Sequence, residues 1–323
     1  MSELEIIALV LPVLLPVGIG WLIVRINLLK ASNADVLATL FLHVCAPALI
    51  IMLLAGQDLK SLIEPRFILA TLFLMLGLYG ALFVVHVLVL RREVGVSAFA
   101  AFAGTKFNAV VVGFPVLVAT VGHHAIVPTT INIVIGYFTI LPLTLILSYI
   151  SKSGVKSGAA MVGILLTALK KAVIHPLVVA TVLGLLLAGT GIHLPDWLDN
   201  TLLTMGNAAI PTALLGVGMS INAPLMRENA AEIAWMSAAR VILSPAIAIV
   251  VAKAFGLSSV FAIALVVSFG LPTAKMVFPL AEEHETYVKE AAGIITVTTA
   301  SLIVLWPFLI LICERLWPGV AGG

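Results

Sequence analysis

The chain reads as an all-α membrane protein: ten transmembrane helices forming an inverted 5+5 repeat, with broken, crossing helices 4 and 9. Three observations predict this class. The first is composition. With 62% hydrophobic and 10% charged residues and a mean hydropathy of +1.22, a chain of 323 residues has too little polar surface to clothe a soluble globule. The second is the set of apolar runs, most of them near the ~20 residues that a spanning helix needs. The third is repetition: Pro12, Pro47 and Pro115 recur as Pro176, Pro211 and Pro279 at a constant separation of 164 residues. Gly20 and Gly184, and Asp35 and Asp199, keep the same separation. Helix-breaking residues at matched positions of two halves point to a membrane carrier.

The runs fall at 6–24, 36–55, 67–90, 97–121 and 126–150 in the first half, and at 173–190, 201–219, 233–252, 258–281 and 292–312 in the second. Hydrocarbon offers no partner to backbone amides, so segments this uniformly apolar cross as helices; a barrel would alternate instead. The domain organisation follows: residues 1–150 as the first five-helix repeat, 151–172 as a cytoplasmic amphipathic linker and 173–323 as the second repeat. The linker carries four lysines around the apolar stretch Gly158–Leu169 and lies on anionic lipid, a regulatory partner being the alternative. No basic, cleavable leader precedes the first run, which is therefore expected to persist as a helix.

Orientation comes from Lys and Arg. Ten of them (Arg25, Lys30, Arg91, Arg92, Lys152, Lys156, Lys170, Lys171, Arg227 and Lys289) fall after odd-numbered helices, against four (Lys60, Arg66, Lys253 and Arg315) on the other side. The first set is placed in the cytoplasm. Both termini then lie outside, in a bacterial inner (plasma) membrane, and five helices per half force the two copies into opposite orientations. The cytoplasmic loops account for the net charge of +2, so no nucleic-acid partner is implied. Cys45 and Cys313 sit in apolar runs and pack there; no disulfide framework, metal spacing or cofactor motif is present. Hydrolase and nucleotide-binding signatures are also missing, which excludes catalytic residues of those kinds.

The chemistry concentrates in two matched segments: Gly104 to Pro115 in span 4 and Ser268 to Pro279 in span 9, both ending Phe-Pro. A mid-helix proline removes a donor and clashes with the preceding turn, so unwinding is expected around Gly113–Pro115 and Pro272–Pro279. Such breaks survive in a membrane only where protein or a wet cavity satisfies the backbone. Crossed near the midplane, they would offer half-helix N-termini to an anion, or merely form kinks filled by neighbouring hydroxyls. Lys106, Arg240 and Lys275 lie within spans, whereas no Asp or Glu sits deep in one; three cations without carboxylates favour an anionic solute. Arg240 either snorkels or braces carbonyls, Lys106 either faces the solute or ends a helix, and Lys275 is either a fixed charge or a proton-linked switch. Asn108, Thr105 and Thr273 add hydrogen-bonding groups, and His43 and Asn207, again 164 apart, complete the candidate cavity, with a packed histidine as the alternative for His43. Glu282, Glu283, His284 and Glu285 read as a solvated cytoplasmic end.

These motifs resemble the auxin efflux carrier family, which includes bacterial malate or malonate permeases and plant PIN auxin exporters. Asn108-Ala-Val-Val-Val-Gly-Phe-Pro115 is similar to its fourth-helix pattern Asn-x-x-x-x-Gly-x-Pro. His175-Pro-Leu, then Leu194-Pro-Asp-Trp-Leu, then Gly206-Asn-Ala-Ala-Ile-Pro-Thr-Ala resemble the opening of its second half. Ala46-Pro-Ala-Leu49 resembles its second helix, and Pro272 with Phe278-Pro-Leu-Ala-Glu-Glu283 its ninth. The resemblance covers nearly the whole chain. It implies a scaffold of helices 1, 2, 6 and 7, a mobile transport domain of helices 3–5 and 8–10, an elevator motion, a homodimer, and Asn108, Pro115 and Pro279 at the substrate site. The long hydrophilic central loop of the plant members is missing. The expected function is secondary transport of small organic anions, carboxylates such as malate, malonate or auxin-like acids. The alternatives are a sodium-coupled symporter of bile-acid-transporter type and a non-cycling sensor or channel on the same fold.

Overall fold

The computed structural model describes residues 3–55, 64–153, 162–163, 165–167, 170, 173–190, 192, 194–220 and 229–318. The 151–172 linker lies largely outside them. The described residues are helical: α1 (Glu3–Arg25), α2 (Asn33–Leu54), α3 (Pro65–Val89), α4 (Val94–Thr105), α5 (Phe114–Val121), α6 (Ile126–Lys152), α7 (Pro176–Thr190), α8 (Asp196–Ser220), α9 (Ala230–Ala254), α10 (Ser259–Gly270), α11 (Val277–Glu283) and α12 (Val288–Leu316). Six of these, α2, α3, α6, α8, α9 and α12, are long and apolar enough to cross a membrane, and several shorter apolar helices accompany them. The protein is an all-helical integral membrane protein.

At three of the prolines inside helical segments, the helix widens just upstream instead of unwinding. The segments Phe41–Cys45, Ala109–Gly113 and Ala239–Leu243 are single π turns, and each ends two residues before a proline: Pro47, Pro115 and Pro245. Each turn closes with a bond five residues long, from the amides of Ala46, Phe114 and Ser244 to the carbonyls of Phe41, Ala109 and Ala239. The proline then enters the first turn of a fresh α-helix, where its missing N–H is not needed. This corrects the sequence expectation of unwinding at Gly113–Pro115: both residues are helical, and the break lies upstream, at residues 106–108. Pro279 likewise sits inside α11, so the second break spans residues 271–276, extended as far as 274 and then a turn.

Packing is reciprocal between the halves. Helix α1 lies along the C-terminal part of α8, and α7 lies along the C-terminal part of α2. Glycines permit both approaches. A side chain at Gly20 would collide with the Leu215 carbonyl, and one at Gly218 with the Val17 carbonyl. A methyl at Gly184 would stand 2.9 Å from the Leu54 Cβ, and one at Gly206 would be 3.0 Å from the Leu49 Cα. The repeated pair Gly20 and Gly184 thus marks equivalent close contacts, of the kind small residues provide where lipid gives no hydrophobic drive. Elsewhere α4 packs between α3 and the second part of α6, and α9 packs on α10 and α12. A buried polar knot ties α3 to α9: fully buried His86 places Nε2 2.8 Å from Glu232 Oε1 and Nδ1 2.7 Å from the Leu82 carbonyl. Tyr287 also donates to Glu232, at 2.9 Å.

Substituting Gly20→Ala is expected to lower the unfolding free energy by about 1–3 kcal/mol through overpacking. Gly77→Ala, at a glycine with no heavy atom within 4 Å of the added methyl, serves as the neutral control. Thermal unfolding of the two variants in detergent checks the contrast.

Candidate functional site

The two breaks meet. Helix α4 ends where Lys106 turns extended (φ −75°, ψ 107°). Helix α10 ends at Leu271, which the following Pro272 holds extended (φ −68°, ψ 153°). Phe107 and Thr273 then pair as an antiparallel bridge. The Asn108 amide donates to the Pro272 carbonyl at 2.8 Å, and the Ala274 amide donates to the Lys106 carbonyl at 2.9 Å. Each break therefore supplies the partners that the other lacks, which is how non-helical backbone persists in hydrocarbon.

Four carbonyls at the ends of α4 and α10 are satisfied by one side chain. Arg240, on the π turn of α9 and fully buried, donates from Nε to Leu271 O at 3.0 Å, from Nη1 to Gly104 O at 3.3 Å and Thr105 O at 3.4 Å, and from Nη2 to Ser268 O at 3.3 Å. Its guanidinium also lies 5.3 Å from the Phe107 ring centroid and 6.0 Å from that of Phe269. Of the two roles the sequence left open, Arg240 braces carbonyls. It places a positive charge where two helices end negative. Thr273, fully buried, donates from Oγ1 to the Ala103 carbonyl at 2.8 Å; its amide donates to Thr298 Oγ1 at 3.1 Å, tying the bridge to α12.

The remaining candidates divide into three groups. At the crossover, Asn108 caps the next turn, its Oδ1 accepting from the Val111 amide at 3.2 Å, while its NH₂ is unspent among the described residues. Thr105 is buried with its hydroxyl unpartnered, and Gly113, Pro115 and Pro272 are buried in the surrounding backbone. Lys106 is 5% exposed; its ammonium lies 5.2 Å over the Tyr137 ring and against Gly136, with no carboxylate in ion-pair range among the described residues. On the other side, Lys275 and Pro279 line a cleft of about 590 Å³ that also takes in Asp35, Ser220, Glu282, Thr296 and Thr299. Here the sequence expectation needs correction. Lys275 is not without an acidic mate, because α2 begins at Asn33 and brings the Asp35 carboxylate to 3.7 Å from its Nζ. His43 and Asn207 form the third group. Both are exposed on their helices, with His43 Nδ1 3.1 Å from its own Thr39 carbonyl, and neither lines the cleft.

At the end of α11 and just beyond it, Glu282, Glu283 and Glu285 are exposed as a solvated end should be. His284 packs edge-on against Phe99 at 5.5 Å; burial, with Lys152 nearby, lowers its pKa against the opposing pull of Glu283. Sequence reasoning missed the Asp35 partnership, Tyr137 and Thr298. Asp35 was visible as a repeated residue, but nothing in its spacing pointed across to Lys275.

The family model described as "Membrane transport protein" matches residues 5–310. The chain belongs to this family, that of the auxin efflux carriers. It is a membrane transporter, not an enzyme. Among curated relatives, a Rhizobium meliloti (strain 1021) protein named "Putative malonate transporter" is 23% identical over 299 residues, covering 91% of this chain and 92% of its own length. A Methanothermobacter thermautotrophicus protein named "Uncharacterized transporter" is 24% identical over 301 residues, covering 92% of this chain and 95% of its own. In this transporter the matched region contains both breaks, the cleft and Arg240.

Replacing Arg240 by Met removes its donors from four buried carbonyls, of which Ser268 O keeps the Leu271 amide at 3.3 Å, and is expected to cost at least about 3 kcal/mol of stability. Arg240→Lys keeps the charge but lacks the planar fork, so it restores only part of the loss. Unfolding midpoints of both variants against the parent test this ranking.

Proposed function

We propose that the protein is a secondary transporter of small organic anions, carboxylates of the malonate or malate kind or auxin-like acids, working by elevator-type alternating access. The observation that carries the reading is Lys275: a cationic side chain on a broken span, facing a cleft of a size suited to a small ligand. Support also comes from the name of the Rhizobium relative, which is 23% identical. In this reading the twelve helices make ten spans, α4 with α5 and α10 with α11 counting as the broken fourth and ninth, and the two halves, 1–150 and 173–323, are inverted repeats joined by the 151–172 linker. The reciprocal packing of α1 on α8 and α7 on α2 favours that arrangement.

The scaffold then comprises α1, α2, α7 and α8, and the transport domain the remaining helices. The cleft lies between them, with Asp35 and Ser220 contributed by the first and Lys275, Pro279 and Thr299 by the second. It opens at the end of the bundle that carries Arg25 and Lys30, the cytoplasmic end by charge, with both termini on the far side. Asn108 orients the carboxylate through its free NH₂, Lys275 and Lys106 supply positive potential from opposite sides of the crossover, and Thr105, Gly113, Pro115, Pro272, Thr273 and Pro279 shape the backbone around it. The resemblance to auxin efflux carriers supports a homodimer in a bacterial inner membrane.

Lys275→Met is expected to reduce counterflow of labelled malonate in proteoliposomes at least tenfold, with insertion and melting temperature preserved. Trans-stimulated exchange by the parent protein separates a carrier from a pore, and exchange that is undiminished in Lys275→Met would remove this lysine from the mechanism.

A further inference from the structure

The same cleft holds a carboxylate of the protein's own. Asp35, in the first turn of α2, places Oδ1 3.7 Å from Lys275 Nζ, and its side chain makes no other polar contact among the described residues. The pair is long, and its side chains are 81% and 34% exposed. An ion pair of this kind contributes little and exchanges readily. It nonetheless joins two separate bodies of the fold. Helix α2 is packed on α7 and α8, whereas Lys275 follows the bridge strand whose Ala274 amide is bonded to Lys106.

We propose that Asp35 occupies the position of a substrate carboxylate at Lys275 in the empty carrier, and that an incoming carboxylate displaces it and unfastens α2 from the α10–α11 connection. This rests on the reading of the cleft as a carboxylate site and adds to it a residue that sets affinity and couples loading to movement. The charge count of the cleft supports the exchange. Asp35 and Glu282 outnumber Lys275, so an anion gains from the lysine only by taking the aspartate's place. A second donor waits beside it, because Thr299 lines the cleft and its hydroxyl has no partner among the described residues, whereas the Thr296 and Ser220 hydroxyls are spent on backbone carbonyls. The fastening is one-sided. Asp199, the counterpart of Asp35 in the 164-residue repeat, is exposed in the first turn of α8 and has no cation in ion-pair range among the described residues. The empty carrier is therefore held with its cleft open at the Lys30 end.

The test uses the purified full chain and malonate as the probe, with binding followed by calorimetry and flux in proteoliposomes. Asp35→Asn is expected to tighten malonate binding about three- to fivefold, the size of effect an exposed ion pair provides. It should also raise net efflux relative to exchange, because the empty carrier is no longer held. Asp199→Asn should match the parent in both. Unchanged or weaker binding by Asp35→Asn, with binding lost in Lys275→Met, overturns the latch and leaves the carboxylate reading in place. Equal tightening by Asp199→Asn would reveal a general charge effect and also overturns it. If the parent binds no malonate, or Lys275→Met binds it as the parent does, the underlying reading of the cleft fails and the latch falls with it.

Discussion

Two apolar segments are interrupted, at residues 106–108 and 271–276, and the rest of the molecule is organised around satisfying the backbone that those interruptions expose. Part of the solution is mutual: the isolated bridge between Phe107 and Thr273 pairs one extended break with the other. The remainder falls to Arg240, whose three nitrogens reach four carbonyls drawn from both segments. A buried guanidinium in lipid is costly unless its donors are engaged, and carbonyls at two helix ends are costly unless they find donors. Each makes the other tolerable. The π turn at Ala239–Leu243 is part of the same arrangement, since it carries Arg240 and precedes Pro245.

With the crossover held in this way, its two faces carry different chemistry. Lys106 is the extended residue just before the bridge, whereas Lys275 lies in the turn that follows it. One is sealed against Tyr137 and Gly136, and the other opens to the cleft beside Asp35. Helix ends of both polarities converge here, the carbonyl ends of α4 and α10 offset by Arg240, and the Asn108-capped start of the following turn left with a free amide group. In the proposed reading an anion is drawn more by side chains than by helix dipoles, in contrast to the simpler expectation that half-helix N-termini alone would attract it.

Much of this was legible in the residues. Apolar run lengths located the helices, six of them long enough to cross a membrane, and one matched proline pair, Pro115 and Pro279, marked the segments that break. The position of each break was not legible, because a proline signals only that the ladder must change nearby. A π turn lets Pro115 join a helix, and the interruption moves to Lys106, where no residue type advertises it. The buried cations were visible, and the partners of two of them were not. Arg240 bonds to backbone, which has no sequence signature, and Asp35 is 240 positions from Lys275, in a turn that reads as a helix start. The 164-residue spacing that links His43 to Asn207 gave no information on which helix face is covered, and both proved exposed.

The glycines that repeat at the same interval carry a consequence for the ancestry of such a chain. Gly20 clears the way for α8, and Gly184 clears it for α2, so each half's smooth surface is closed by the other half and never by itself. In the proposed inverted arrangement, a lone five-helix ancestor could bury that surface only against a sister molecule inserted upside down. An unfused precursor would thus have needed dual topology, with loop charges balanced finely enough to enter the bilayer both ways.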